Sequence, residues 1–261
     1  MNRIALGVEY DGTAYCGWQI QPHAPSIQQS LNEAISVVAN ERVACIGAGR
    51  TDTGVHASGQ VAHFDTAAER SRRSWLLGIN SNLPADISVF NVWRVTPEFH
   101  ARYAAIGRAY RYVILNRSVR SALERHRAWW VHQHLDIATM QTAAASLLGE
   151  HDFSSFRAAE CQAHSAIRNL RKLDIASSGE HIVIDCEANA FLHHMVRNIV
   201  GSLARIGRGE ADSGWLQELL EQRDRRLAGI TAPACGLTLT RVDYAEPYAG
   251  ISAEPLITAG E

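Results

Sequence analysis

The chain has 261 residues, an apolar fraction of 46% and a formal net charge of −2, which predicts a globular protein with a sizeable core in one large or two modest domains. No apolar run approaches the roughly 18 residues of a membrane span. The N-terminus, MNRIALGVEYDG, lacks the pattern of a secretion signal. Five widely spaced cysteines without a C-x-x-C pair are typical of a reducing compartment. We therefore expect a cytoplasmic protein with no membrane partner.

The basic residues are almost all arginine and are unevenly distributed. Among the 25 basic residues only Lys172 is a lysine, so the other 24 are arginines. The window 94–127 contains two acids, Glu98 and Glu124, and eight arginines: Arg94, Arg102, Arg108, Arg111, Arg117, Arg120, Arg125 and Arg127. A guanidinium pairs with phosphate through two parallel hydrogen bonds. This window indicates either a nucleic-acid surface or merely a solvated face.

The first half of the chain mixes short strands and helices. Alternating apolar residues predict a strand from Ile4 to Tyr10. The Ser-x-x-Gln pattern that starts at Ser26 predicts the start of a helix, whose apolar face would consist of Ile27, Leu31, Ala34, Ile35 and Val38. Composition predicts further strands at 43–46, 60–65 and 87–95, and a helix at 75–79.

The second half of the chain also mixes strands and helices. A strand is predicted through Tyr110, Tyr112 and Ile114, and a helix capped by Asp136 that stops near Gly149. The later predicted elements are a hairpin of 170–176 and 181–187, helices at 191–206 and 216–220, and a strand at 237–242. We predict an α+β protein with two similar halves, 1–105 and 106–247, and a loosely held tail at 248–261. Each half would carry a mostly antiparallel sheet with helices on one face, with the active-site cleft between the halves.

The segment GAGRTDTG, residues 47–54, contains the Asp-Thr-Gly tripeptide of aspartic proteases. Those enzymes need two carboxylates that share a proton, supplied by two Asp-Thr-Gly elements in one chain or by one in each subunit of a homodimer. This chain has a single Asp-Thr-Gly and is far longer than a dimeric protease subunit needs to be. Arg50, two residues before Asp52, favours the ionised carboxylate, which is the opposite of what a proton-sharing pair requires. The protease interpretation is therefore the weaker one.

A second interpretation takes Arg50 and Asp52 together. In an extended backbone, residues two apart point to the same face, so both charges would enter one cleft. Three glycines, Gly47, Gly49 and Gly54, would let a ligand approach the backbone closely. An ionised Asp52 held there could attack an electron-poor carbon. The plain alternative is a loop salt bridge between Arg50 and Asp52.

The sequence contains no convincing metal or cofactor motif. His193 and His194 are neighbours on the predicted helix 191–206 and would diverge rather than chelate. The chain has neither a G-x-x-x-x-G-K loop nor a dinucleotide fingerprint. We expect a protein without a metal or a cofactor.

Several segments along the chain resemble one protein family. GAGRTDTGVHA (47–57) resembles the active-site segment of the bacterial tRNA pseudouridine synthase A family, usually Gly-Arg-Thr-Asp-Ala-Gly-Val-His-Ala, with Thr53 in place of the usual Ala. Further segments resemble the family in the same order: EYDGTAYCGWQIQ (9–21), NSNLPADISV (80–89), FHARYAAIGRAYRYVILN (99–116), GEHDFSSFR (149–157) and FLHHMVRNIVGSLARIGRG (191–209). The resemblance covers nearly the whole chain, from about residue 3 to about residue 245.

The resemblance implies isomerisation of uridine to pseudouridine at positions 38–40 of the tRNA anticodon arm, without a cofactor, by a homodimer that binds tRNA across both subunits. It implies that Asp52 is the catalytic nucleophile. Whether this carboxylate attacks C1′, adds to the base or removes a sugar proton stays open. Arg50 would assist base flipping, Tyr110 would stack on the target base, and Arg197 would form an ion pair with Asp52. An RNA-binding module of the same fold that has lost catalysis is the competing hypothesis.

Overall fold

The computed structural model describes residues 1–251. Its strands are β1 (Asn2–Tyr10), β2 (Ile46–Gly47), β3 (His56–Thr66), β4 (Ile87–Val95), β5 (Ala105–Asn116), β6 (Trp129–Val131), β7 (Gly149–Asp152), β8 (Ile167–Ser178), β9 (His181–Ala188) and β10 (Leu237–Tyr244). Its α-helices are α1 (Ile27–Ala39), α2 (Arg72–Asn82), α3 (Ile137–Ala144), α4 (Met195–Gly207) and α5 (Trp215–Gln222). The predicted α+β class is confirmed. Within the described range, no helix has both the length and the apolar character that a membrane span requires.

The chain divides into two compact units. The first consists of Met1–Ile106 and the residues from Thr238 on, and the second of Gly107–Leu237. The sequence prediction assigned 106–247 to one half, whereas β10 from Thr238 on belongs to the first unit, in which it pairs with β3. Of the predicted tail, 252–261 lie outside the described residues.

The first unit is built on a mostly antiparallel sheet. Strand β1 lies between β3 and β4 and is antiparallel to both. Strand β2 pairs antiparallel with β3, and β10 pairs parallel with it. Residues Ile4–Val8 are buried in succession rather than alternately, and the Phe90 and Trp93 side chains of β4 lie against Gly7. Helix α2 packs against β4, and α1 packs against α2.

Helix α1 begins as the sequence predicts. The Ser26 hydroxyl accepts a hydrogen bond from the backbone N–H of Gln29 at 3.3 Å, which satisfies one of the free donors of the first turn. The helix ends at Asn40, whose left-handed φ of 56° is one that asparagine tolerates better than most residues. The predicted apolar face is confirmed by the burial of Ile27, Leu31 and Ile35.

The strand predicted at 43–46 is wrong for most of its length, because only Ile46 and Gly47 pair as a strand. The N–H of Val43 donates to the Ser36 hydroxyl at 2.9 Å, and that of Cys45 donates to the Asn32 side chain at 2.8 Å. Two polar side chains of α1 thus take hydrogen bonds that a neighbouring strand would otherwise make.

The strands of the second unit follow the order β5-β9-β8-β7, with antiparallel neighbours. Strand β6 pairs parallel with β5. The predicted hairpin is confirmed as β8 and β9, and the residues of β9 are alternately buried and less buried. Helix α3 packs against α4 and β8. It ends at Ala144, earlier than predicted, and a 3-10 turn over 145–147 follows it.

The helix predicted from Phe191 begins four residues later, at Met195. His194 precedes the first turn with a left-handed φ of 61°, and its carbonyl accepts the Asn198 N–H at 2.9 Å. Apolar periodicity does not reveal such a conformation, which explains the misplaced start. His193 and His194 therefore lie ahead of the helix, with ring centroids 4.0 Å apart, rather than diverging on it.

Candidate active site

The segment 48–55 connects β2 to β3 and carries two of the predicted site residues. Asp52 is half-buried and Arg50 is exposed, while Thr51 between them is only 7% exposed. The Thr51 hydroxyl lies 2.9 Å from the buried hydroxyl of Tyr10 on β1. The buried Thr51 side chain therefore holds the segment against β1, and the charged residues Arg50 and Asp52 lie on either side of it.

The backbone of this segment is held by the turn that follows β1. The Trp18 N–H donates to the Thr51 carbonyl at 3.0 Å, and the Gly54 N–H donates to the Tyr15 carbonyl at 3.3 Å. Gly17 has a φ of +87°, and a Cβ there would lie 2.5 Å from the Thr51 carbonyl oxygen. Glycine at position 17 thus allows the turn to approach Thr51 this closely.

Arg50 does not form the loop salt bridge considered from the sequence. Its guanidinium makes no hydrogen bond or ion pair with any residue between 1 and 251. An exposed guanidinium two residues from a half-buried carboxylate is available to a ligand, and its planar donor fork suits phosphate groups and stacked bases.

In the second unit, Tyr110 and Tyr112 lie two residues apart on β5 and differ in burial. Tyr112 is fully buried, and its hydroxyl donates to the Pro233 carbonyl at 2.7 Å. Burial also raises the pKa of Tyr112 well above its usual range. Tyr110 is half-buried, and its ring meets Phe191 edge to face at 5.1 Å. Only Tyr110 of this pair retains ring surface for a ligand.

Arg197 lies on α4 and is half-buried. Its Nε donates to the Ala232 carbonyl at 2.8 Å, and the Ala232 N–H donates back to the Arg197 carbonyl at 3.0 Å. This reciprocal pair fixes the orientation of the guanidinium against the segment 230–233. A charged donor that is already oriented loses less entropy when it binds an anion.

Sequence reasoning missed the supporting residues Tyr10 and Trp18, because it treated the first strand and turn only as structure. Both are buried, and both contact Thr51. A useful signal was available, since a tyrosine at the end of a buried strand needs a hydrogen-bond partner for its hydroxyl.

Comparison with known proteins identifies the family. The sequence profile of the family described as "tRNA pseudouridine synthase" matches residues 7–104 and 143–245. Arg50, Asp52 and Arg197 lie inside these ranges, and Tyr110 lies between them.

Proteins with the curated name "tRNA pseudouridine synthase A" are similar over nearly the whole chain. The protein of Hydrogenovibrio crunogenus is 51% identical over 95% of both chains. That of Photobacterium profundum is 49% identical over 97% of both chains. That of Klebsiella pneumoniae is 51% identical over 94% of this chain and 91% of its own. The family resemblance seen in the sequence is thereby confirmed, and the chain belongs to the tRNA pseudouridine synthases, a family of isomerases.

Proposed function

We propose that this chain isomerises uridine to pseudouridine at positions 38–40 of the tRNA anticodon arm, with ionised Asp52 as the nucleophile and without a cofactor. The observation that carries the proposal is the placement of Asp52. Asp52 is half-buried in a segment whose Thr51 is hydrogen-bonded to Tyr10 and Trp18, and the exposed Arg50 lies two residues before it.

The reaction is balanced without any external reagent. The N1–C1′ bond breaks, the uracil turns and a C5–C1′ bond forms, while the hydrogen at C5 leaves as a proton and N1 takes up a proton. No electrons are gained or lost overall, so the protein needs to supply only a carboxylate and a site that retains the detached base. The attack on C1′, the addition to the base and the removal of a sugar proton all require the same carboxylate.

A uridine in or next to a stem must leave the stack before it can react. Unstacking costs a few kcal/mol, and stacking on an aromatic ring returns about 1–3 kcal/mol. We assign the stacking role to Tyr110 because Tyr112 is buried. Arg50 is assigned the role of steadying the flipped nucleotide, and Arg197 that of pairing with Asp52. The exposed Arg50 and the oriented guanidinium of Arg197 support these roles.

We also propose that the protein acts as a homodimer in the cytoplasm, where its tRNA substrate is found. The family resemblance supports both statements. Light scattering coupled to size exclusion, with and without tRNA, measures the mass of the particle. A mass of one subunit at working concentrations would contradict the dimer.

The experiment for the proposed reaction uses tRNA transcripts tritiated at C5 of uridine. One set carries uridine at position 38, 39 or 40, and a matched set carries cytidine at all three positions. We expect tritium release from the first set only, with and without a chelator present. Tight tRNA binding without release would instead support a catalytically inactive RNA-binding module.

A further inference from the structure

Gln60 lies on β3 and is completely buried, with 0% of its surface exposed. A buried amide requires hydrogen-bond partners for its oxygen and for its NH₂ group. The partners of Gln60 include Gly49, in the segment that carries Arg50 and Asp52, together with the Tyr10 hydroxyl and the Val61 N–H. They therefore link this side chain to the candidate active site.

The Gln60 amide binds both backbone groups of Gly49. Its Nε2 donates to the Gly49 carbonyl at 2.7 Å, and its Oε1 accepts the Gly49 N–H at 3.4 Å. Gly49 directly precedes Arg50, so this pair of bonds fixes the backbone at the point where the charged residues begin. The contact has the pattern of a strand pairing, made by a side chain.

A second connection reaches Thr51. The Gln60 Nε2 lies 3.4 Å from the Tyr10 hydroxyl, which lies 2.9 Å from the Thr51 hydroxyl. Tyr10 is 4% exposed and Thr51 is 7% exposed. The connected side chains of Gln60, Tyr10 and Thr51 thus form a buried network behind the two charged residues.

We propose that Gln60 is a positioning residue for Asp52, acting through Gly49 and through the Tyr10–Thr51 hydrogen bond. This inference rests on the proposed function of Asp52. Because misplacing a reacting group by about 1 Å can cost about 100-fold in rate, a buried network that fixes both Gly49 and Thr51 acts on the rate of the chemical step. Binding of tRNA depends on phosphate contacts elsewhere and is not affected by the network.

Asn80 provides a matched control in the same unit. Its Nδ2 donates to the Val89 carbonyl at 2.7 Å, and its Oδ1 accepts the Val89 N–H at 2.8 Å. Asn80 therefore makes the same two-bond contact with one backbone residue, on β4 rather than on the Asp52 segment. Replacing either amide by an apolar side chain of similar size removes equivalent bonds.

The test compares Gln60→Met with Asn80→Leu. Three quantities are measured: the single-turnover rate of pseudouridine formation at saturating tRNA, the Kd for tRNA, and the midpoint of thermal unfolding. We expect both variants to unfold at lower temperature than wild type. Gln60→Met should react at least about tenfold more slowly with a Kd within about threefold, and Asn80→Leu should react within about twofold of wild type. A rate for Gln60→Met within about twofold of wild type, or an equal loss in Asn80→Leu, would overturn the inference.

A second pair of variants decides the matter if Gln60→Met does not fold. Tyr10→Phe and Thr51→Val remove the same hydrogen bond from opposite sides. Because Tyr10→Phe also removes the contact with Gln60, it should slow the reaction at least as much as Thr51→Val, and the double variant should be no slower than Tyr10→Phe. Multiplying losses, or no loss, would contradict the network.

Wild type and Asp52→Asn are measured in the same series. If wild type forms no pseudouridine, the proposed function fails and the inference falls with it. If wild type is active and Asp52→Asn is inactive while the network variants react normally, only the inference fails.

Discussion

Tyr110 and Tyr112 lie two residues apart on β5, and their difference in burial supports different roles for them. The hydroxyl of Tyr112 is bonded to the Pro233 carbonyl inside the second unit, whereas the ring of Tyr110 remains half-buried beside Phe191. Sequence periodicity places both on the same face and cannot rank them. The two tyrosines differ in how far neighbouring residues bury each ring, and only the fold determines this burial.

These roles predict opposite phenotypes. Tyr110→Ala should lower the rate of pseudouridine formation by about tenfold or more, with little change in stability, because a stacking surface is lost. Tyr112→Phe should lower the free energy of unfolding by about 1–2 kcal/mol, because the Pro233 carbonyl loses its donor, and should keep its rate. Denaturant unfolding and single-turnover kinetics measure both effects. Equal rate losses in the two variants would contradict the assignment.

His63 makes the stability of the first unit sensitive to acid. The residue is 3% exposed, and its Nδ1 accepts the Ala101 N–H at 3.2 Å. Burial, then the His100 ring and the Arg3 cation, lower the pKa of His63 from 6.5 to about 4, and the Asp65 carboxylate opposes them. The unfolded chain therefore binds a proton that the folded chain does not bind between these two values.

This difference in proton binding makes the folded state less stable at low pH. Stability is fully present above pH 6.5 and decreases as the pH falls toward 4, by about 1 kcal/mol for each pH unit. His63→Asn keeps an acceptor for the Ala101 N–H and cannot be protonated. In urea unfolding, wild type should lose more stability than His63→Asn when the pH is lowered through this range. Parallel curves would show that His63 is not responsible.

At the scale of elements, helix α4 illustrates how packing overrides helix propensity. A Cβ at Gly201 would lie 1.8 Å from the Ile230 carbonyl oxygen, so α4 and the segment 229–232 touch through backbone atoms. The same segment carries the Ala232 carbonyl that orients Arg197. Glycine at position 201 therefore allows α4 to contact the segment that orients Arg197.

Propensity alone predicts that Gly201→Ala stabilises α4 by about 1 kcal/mol. We expect instead a loss of more than about 2 kcal/mol, because rigid backbone must move to make space. Gly207→Ala in the same helix is the control, since its new Cβ would meet mainly the flexible Met140 side chain at 2.7 Å. Thermal unfolding of both variants tests the difference, and a more stable Gly201→Ala would refute the packing argument.

The elements that the sequence predicts well are those whose burial follows a regular pattern. Strand β4 has the predicted bounds of Ile87–Val95, and the buried face of α1 is the predicted one. The misplaced elements depend on local hydrogen bonds and backbone conformation instead. The side chains of Ser36 and Asn32 displace the strand at 43–46, and the left-handed His194 delays the start of α4.

The candidate site likewise contains residues that the sequence reveals and residues that only the fold reveals. Residue type and motif identify Arg50 and Asp52, because two charges in a glycine-rich segment are unusual. The sequence does not identify Gln60, because a glutamine in a strand indicates nothing about its hydrogen-bond partners. Its complete burial and its bonds to Gly49 appear only in the fold.

At the scale of the whole molecule, a net charge of −2 conceals the uneven distribution of arginine. The structure also separates the arginines of the window 94–127. Arg111 is held by Asp185 through two hydrogen bonds of 2.8 and 2.9 Å. Arg120 is exposed and has no hydrogen bond or ion pair to any of the described residues. Arg120 is therefore the better candidate for a phosphate contact.

We expect tRNA affinity to fall steeply with salt, because phosphate contacts release counterions. Arg120→Ala should weaken binding for all tRNA sequences and reduce the salt slope by about 1. Arg111→Ala is the matched control and should change the slope less, because its charge is already compensated by Asp185. Titrations at several salt concentrations measure the slopes. Equal slopes in wild type and Arg120→Ala would remove Arg120 from the contact surface.

The proposed reaction depends on the Asp52 carboxylate. Its most direct test is the single-turnover rate of Asp52→Asn at saturating tRNA, with Asp65→Asn as a control for loss of an acidic charge outside the site. We predict that Asp52→Asn loses at least about 1,000-fold in rate while its tRNA Kd stays within about threefold, and that Asp65→Asn reacts like wild type. A rate for Asp52→Asn within about tenfold of wild type would contradict the account.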